Sequence, residues 1–345
     1  MESIKKNILG IFVCAGITAP AWFLGKMVPI AGAPVIALLI GMVCTLLWKD
    51  KGRAAAGITF VSKKVLQWAV ILLGAGLNYM VVLKTGMQSL PIIVCTIAAS
   101  LLTAFVLYKA AAVQKNTAVL IGVGSSICGG SAVAAAASVI EADSEEAAQS
   151  ISVIFFFNVL AALIFPTLGH ILGFSTVSGE AFGIFAGTAV NDTSSVTAAA
   201  AVWDSMWNLG TQTLDKAVTV KLTRTLAIIP ITFILAFFHL RDLKKNGTGE
   251  KKMQIWNIFP VFILYFIGLS VVTTVLSHFG VPPATFAPLK TLSKVFITAA
   301  MAGVGLNSNI IKLVKTGGKP LLLGAGCWIV ITAVSLIMQR IMGLW

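Results

Sequence analysis

The chain has 345 residues, 58% of them hydrophobic and only 11% charged, with a mean hydropathy of +0.96. These values exclude an ordinary soluble domain and imply a lipid bilayer as the surrounding solvent. The formal charge of +13 comes from basic residues scattered into loops. There is no flat basic face interleaved with aromatics, so nucleic acid is excluded as a partner.

Apolar runs long enough to cross a bilayer, about 20 residues each, recur along the whole length. In chain order the expected spans are 8–28, 30–48, 60–83, 90–109, 118–140, 150–172, 182–203, 215–238, 255–278, 290–310 and 320–342. The first run follows Lys5 and Lys6 and resembles a signal peptide, but further spans follow, so it reads as an uncleaved helix with a cytoplasmic N-terminus. Basic loops at 49–53, 109–115, 241–252 and 312–319 alternate with loops poor in Lys and Arg. The positive-inside rule puts all four in the cytoplasm and the C-terminus outside. Cys14, Cys44, Cys95, Cys128 and Cys327 form no CxxC pair, and His170, His239 and His278 fall near span ends. No metal or cofactor is expected.

Segments 118–140 and 182–203 break the pattern. "GSSICGGSAVAAAASV" at 124–139 and "GTAVNDTSSVTAAAAV" at 187–202 match at seven of sixteen positions, and both put polar residues into apolar sequence. Each segment is either a broken helix that crosses or a hairpin that dips in and returns. The two readings differ by two crossings and change the side only of the acidic loop 141–150 and the uncharged loop near 173–179. A second match pairs "GAGLNYMVVLKTGMQSLP", 74–91, with "GVGLNSNIIKLVKTGGKP", 303–320. An odd number of crossings separates these copies, as in an inverted-topology repeat. The fold expected is therefore an all-α polytopic domain over 1–345, with 9–11 transmembrane segments and two broken or re-entrant helices.

Non-helical backbone within a bilayer is tolerated only where protein buries it or a cavity wets it. Gly124, Gly129, Gly130 and Gly187 can supply that backbone. The runs Ala134–Ala137 and Ala198–Ala201 would then begin new half-helices, with Ser131 and Ser194 just before them placed to cap them. The free N–H groups at such helix starts attract anions. Asp192 is the one carboxylate embedded in an apolar run, and intramembrane carboxylates commonly carry H⁺ or Na⁺. Asp192 could also serve only as a helix cap. Lys221 and Arg224 are three residues apart on one helix face and could draw a divalent oxyanion, while Lys221 could equally snorkel to the interface. Lys290 and Lys294 read as residues that flank their span.

The I-C-G-G-S-A and G-T-A-V-x-D-T-S elements, with "KLTR" at 221–224, resemble the YeiH-type family, to which sulfate export is assigned, over nearly the whole chain. Its hydrophobic organisation is similar to the superfamily of sodium/proton antiporters and bile-acid transporters. The resemblance implies a panel domain beside a core with two crossed, broken helices, and would put Gly129–Ser131 and Asn191–Ser194 at the crossing. The family pattern has His where this chain has Asn191, and Asn cannot titrate, so Asp192 would work without a His partner.

The expected function is secondary active transport of a small inorganic or organic anion, sulfate first, coupled to H⁺ or Na⁺ in a bacterial inner membrane. The anion-binding candidates are Ser126, Cys128, Gly129, Gly130, Ser131, Asn191, Thr193, Ser194, Lys221 and Arg224, and Asp192 is the ion-coupling candidate. An anion channel or uncoupled carrier is the alternative. An intramembrane serine hydrolase would need a base, and no His lies mid-span. No Walker-type loop points to ATP. The oligomeric state is open, with a homodimer among the options.

Overall fold

A computed structural model describes residues 2–27, 32–48, 50–75, 78–111, 113–245, 261–307 and 310–345. Their regular structure is helical: α1 Glu2–Met27, α2 Gly32–Leu47, α3 Ala55–Phe60, α4 Leu66–Leu73, α5 Tyr79–Ala111, α6 Lys115–Ser126, α7 Gly130–Val139, α8 Ser144–Ile171, α9 Glu180–Ala189, α10 Thr193–Trp207, α11 Gln212–Thr225, α12 Ile228–Lys245, α13 Val261–His278, α14 Ala287–Asn307 and α15 Ile310–Ile341. A π-helical segment, Val61–Val65, joins α3 to α4. Among the described residues, eight helical stretches are long and apolar enough to cross a membrane, and the shorter Ala33–Leu47 joins them.

Two expected boundaries move. The third span is Gly52–Leu73 rather than 60–83, because the chain turns at Gly74–Ala75 and Asn78 then opens α5 by accepting the N–H of Met80 on Oδ1 at 2.8 Å. The basic stretch 312–319 is helical backbone within α15, kinked at Gly318, rather than a loop. Of the loop 241–252, residues 246–252 lie outside the described residues, as do 76–77 and 308–309 of the matched segments.

The helices sort into two bundles. In one, α2 packs on α1 and α14, the α3–α4 stretch packs on α14 and α1, and α13 packs on α4. Close approach is built from glycine. A Cβ on Gly305 would sit 2.2 Å from the Leu38 carbonyl oxygen, and one on Gly74 would sit 2.5 Å from that of Phe266. The other bundle surrounds α8 and contains α5–α7, α9–α12 and α15. The bundles meet mainly where α10 lies against α2 and α14.

Both interrupted segments are re-entrant hairpins. Asn116, near the start of α6, donates to Glu146 at 3.1 Å, and Ser150 donates to the Thr117 carbonyl. The start of α6 therefore lies beside the start of α8. The far end of α6 reaches Gly129, where a Cβ would lie 3.5 Å from Asn158 Nδ2. Only four residues join the end of α7 to Ser144, so α7 must return to the start of α8. There Glu146 Oε2 also accepts the Asp143 N–H in a capping box.

The second hairpin is built the same way on α11. A Cβ on Gly179 would meet Thr213, and one on Gly187 would meet Val220, so α9 runs alongside α11. The chain returns in α10 until Asp204 accepts the N–H groups of Thr213 and Leu214, both at 2.9 Å. The base of this hairpin lies at the far end of α8, where His170 meets Trp207 with ring centroids 5.0 Å apart. Phe182 stacks on Trp203 at 4.1 Å and Phe165 packs on Phe185 at 5.0 Å. In a lipid solvent such packing is driven by close contact rather than by escape from water, and each aromatic pair contributes roughly 0.5–1.5 kcal/mol.

The two hairpins thus enter from opposite ends of α8 and their tips meet at its middle. This replaces the two crossed, broken helices implied by the resemblance. Among the described residues, the eight long stretches and the shorter Ala33–Leu47 make nine candidate crossings beside the two hairpins, with the loop at 141–143 on the same side as the 109–115 loop.

Candidate functional site

The tips are residues 127–129 and 190–192. Gly129 opens α7 with φ +73°, a left-handed conformation suited to glycine. A Cβ there would come 3.3 Å from the Cβ of Asp192, so the small residue also lets the tips touch. Asn158, 1% exposed, holds the second tip from α8. Its Oδ1 accepts the backbone N–H groups of Asn191 and Asp192, each at 3.1 Å. Asp192 caps α10: Oδ2 accepts the N–H of Ser194 at 3.0 Å and also its hydroxyl.

The incoming half-helices α6 and α9 end at the tips with exposed carbonyl dipoles, which is costly in an apolar interior. Lys221 and Arg224 satisfy them. Lys221 Nζ donates to the carbonyls of Ile127 at 2.7 Å and Val190 at 2.9 Å. Arg224 donates to Ser126 through Nε at 2.7 Å, to Ser125 through Nη2 at 2.7 Å and to Thr188 through Nη1. Both side chains are 0% exposed, so Lys221 does not snorkel. Their charge is offset in part by the negative ends of two helices, about half a charge each, and their hydrogen bonds go to carbonyls rather than to a carboxylate. Neither is among the residues that line the cavity described next.

A cavity of ≈ 1130 Å³ opens between the bundles at the tips. Cys128, Gly130, Ser131, Asp192, Thr193 and Ser194 line it, together with Asn158. Ser126, Gly129 and Asn191 lie behind this surface. The cavity therefore receives the starts of α7 and α10, where backbone N–H groups lack helical partners. The buried Asn158 Nδ2, itself without a hydrogen-bond partner, lies at the same place. Donors converge there, and Asp192 is the carboxylate beside them. The rest of the wall comes from α7, the first half of α8, the junction of α11 and α12, the start of α13 and the end of α14, with Ser62, Lys63, Lys64 and Gln67 from the π segment and α4. The opening thus lies at the end from which the first hairpin enters.

At the opposite end, polar ties join the bundles. Lys290 of α14 pairs with Asp215 of α11 at 2.8 Å, and Lys294 donates to the Gly210 carbonyl at 2.8 Å. These lysines bridge the bundles and do more than flank a span. A smaller cavity of ≈ 510 Å³ there, lined by Asp204 and Lys294, includes no tip residue.

Sequence reading passed over Asn158, Ser62, Lys63, Lys64 and Gln67. The available signals were a lone Asn in "FFFNVL" and the run "SKK" within an expected apolar span.

The family described as "Conserved hypothetical protein 698" matches residues 9–324. The chain is 56% identical over 341 residues to a UPF0324 membrane protein of Streptococcus mutans, covering 99% of this chain and 98% of that one. The chain belongs to the UPF0324 membrane protein family. Another member, from Streptococcus pyogenes, is 52% identical over the full length of both chains. A third, from Fusobacterium nucleatum, is 51% identical over 99% of this chain and all of its own. Membership and the apolar helices make this a multi-pass membrane protein.

Proposed function

We propose that this UPF0324 protein is a secondary active transporter of a small anion, coupled to H⁺ or Na⁺. The observation that supports the reading is the meeting of two re-entrant hairpin tips at the middle of α8, on a cavity between the bundles. The starts of α7 and α10, the hydroxyls of Ser131, Thr193 and Ser194, and Asn158 Nδ2 offer donors to an anion. Asp192 offers one carboxylate to the coupling ion. Lys221 and Arg224 then act behind the site, holding the tips in register. Sulfate is the first candidate, and export from a bacterial cell is the direction that the YeiH-type resemblance implies.

The same reading takes the two halves as inverted repeats. Support comes from α5 and α15, which carry the matched segments and pack directly together, and from hairpins that point at each other from opposite ends of α8.

Purified protein in proteoliposomes provides the test. Labelled sulfate and a panel of other anions are offered with and without imposed H⁺ or Na⁺ gradients. Saturable uptake that follows one gradient is expected. Flux far above carrier turnover with no counter-ion dependence would make the protein a channel, and no movement of any anion would sink the anion reading.

A further inference from the structure

The donors at the hairpin tips occupy one wall of the cavity. The opposite wall belongs to the other bundle, and it carries two cations. Lys63 and Lys64 stand in the π-helical segment at the middle of the Gly52–Leu73 span. From Gly52 to Lys63 is about 17 Å of helix at 1.5 Å per residue, half the thickness of a bilayer core. Both side chains are exposed and both line the cavity. Neither makes an ion pair among the described residues. An intramembrane lysine facing a wet cavity is costly unless it serves a ligand or an ion path.

The π segment explains how two consecutive residues reach one cavity. In an α-helix, neighbours point about 100° apart, and the extra residue of a π turn widens the face that the helix presents. Ser62, at the base of this face, is tied to α14 by Asn307, whose Nδ2 donates to Ser62 Oγ at 3.4 Å. Gln67 continues the polar face into α4. Facing this wall are the starts of α7 and α10 and the unpartnered, 1% exposed Asn158 Nδ2. Among the described residues, the one carboxylate on the lining is Asp192.

The charge balance follows from these groups. Two lysines outweigh one carboxylate, and two helix starts add roughly half a positive charge each. Lys221 and Arg224 are spent on carbonyls and need not be counted. A lining of about two positive charges matches a divalent anion better than a halide. We infer that Lys63 and Lys64 form the second half of the anion site and select divalent oxyanions or small dicarboxylates over monovalent anions. This rests on the anion-transport reading above and names the substrate class and its selecting residues. It also divides the site between the bundles, so that a bound anion links the π segment to the hairpin tips.

The test compares wild type with Lys63→Gln, Lys64→Gln, the double variant and Lys63→Arg/Lys64→Arg. Binding and uptake of labelled sulfate, succinate and chloride are measured in proteoliposomes, with monodispersity and thermal stability as folding controls. Each single Gln variant should lose about tenfold in apparent sulfate affinity, as expected for one charge lost within several ångströms in a partly wet site. The double variant should lose more, and the Arg pair should keep most of the affinity. Coulomb energy scales with ligand charge, so the loss for sulfate and succinate should be about twice that for chloride on a logarithmic scale. A merely structural role would lower all three alike. If wild type transports a divalent anion and the double Gln variant keeps both its affinity and its selectivity, the assignment of Lys63 and Lys64 is wrong while the transport reading stands. If wild type neither binds nor moves any of the anions, both fall together.

Discussion

Asn158 Oδ1 accepts the backbone N–H of Asp192 at 3.1 Å and so fixes the tip of one hairpin to the middle of α8. The same side chain lines the cavity and leaves its buried Nδ2 without a partner. Two substitutions separate these jobs. Asn158→Ala removes both and leaves two buried N–H groups unsatisfied, a cost of about 1–3 kcal/mol for each. It should lower thermal stability in detergent together with transport. Asn158→Asp keeps the acceptor but replaces the donor with a carboxylate oxygen, so it should hold the tip better than Asn158→Ala while the added negative charge lowers anion affinity. Equal stability of all three proteins would show that the tip does not depend on this residue.

Lys221 and Arg224 should respond as structural cations. Hydrogen bonds to charged groups contribute about 1.5–3 kcal/mol each, and Arg224 makes three of them to helix-end carbonyls. Arg224→Gln should therefore cost at least about 3 kcal/mol and show as poor expression or a large fall in melting temperature. Arg224→Lys should recover only part of this, because a point charge cannot span three carbonyls. A fully stable Arg224→Gln protein with weakened anion binding would instead move Arg224 into the binding surface.

The hairpins make a topological prediction. With the basic loops in the cytoplasm, residue 144 is cytoplasmic and residue 175 is outside. In a cysteine-free background, Ser144→Cys should resist an impermeant thiol reagent in intact cells. Ser175 is exposed in the loop between α8 and α9, and Ser175→Cys should react. Ready labelling at 144 with protection at 175 would invert the orientation.

Much of this arrangement was legible in the sequence, because small and polar residues inside apolar runs have few structural uses. The pairing of 124–139 with 187–202 located both breaks, and Asp192 was marked by its isolation. Whether those segments cross or return was not legible. That choice depends on contacts such as Asn116 with Glu146 and Asp204 with Thr213, which join residues 30 and 9 positions apart. The role of Lys221 and Arg224 was hidden for the same reason, since carbonyl partners leave no trace in side-chain identity. Lys63 and Lys64 were masked by the expected bounds of the third span, 60–83, which put them one turn from its start, whereas the span begins at Gly52 and holds them at its middle.

The opposite end of the molecule gives a fourth expectation. Lys290 and Asp215 tie α14 to α11, so Lys290→Ala should loosen the bundles opposite the cavity. A cysteine at Ser205, on the lining of the smaller cavity, should then react faster with an impermeant reagent from outside. Unchanged reactivity would mean that packing, rather than this pair, holds that end together.

Asp192 carries the central claim, that the hairpin tips couple anion movement to a cation gradient. Its carboxylate caps α10 through Ser194, and Asn caps a helix about as well as Asp. Asp192→Asn therefore keeps the cap and removes only the charge. The decisive measurement is gradient-driven uptake of labelled sulfate by this variant in proteoliposomes, beside its equilibrium binding of sulfate. The account predicts a folded protein that still binds the anion and no longer responds to an H⁺ or Na⁺ gradient. Gradient-driven uptake at the wild-type rate would contradict it and leave Asp192 as a helix cap alone.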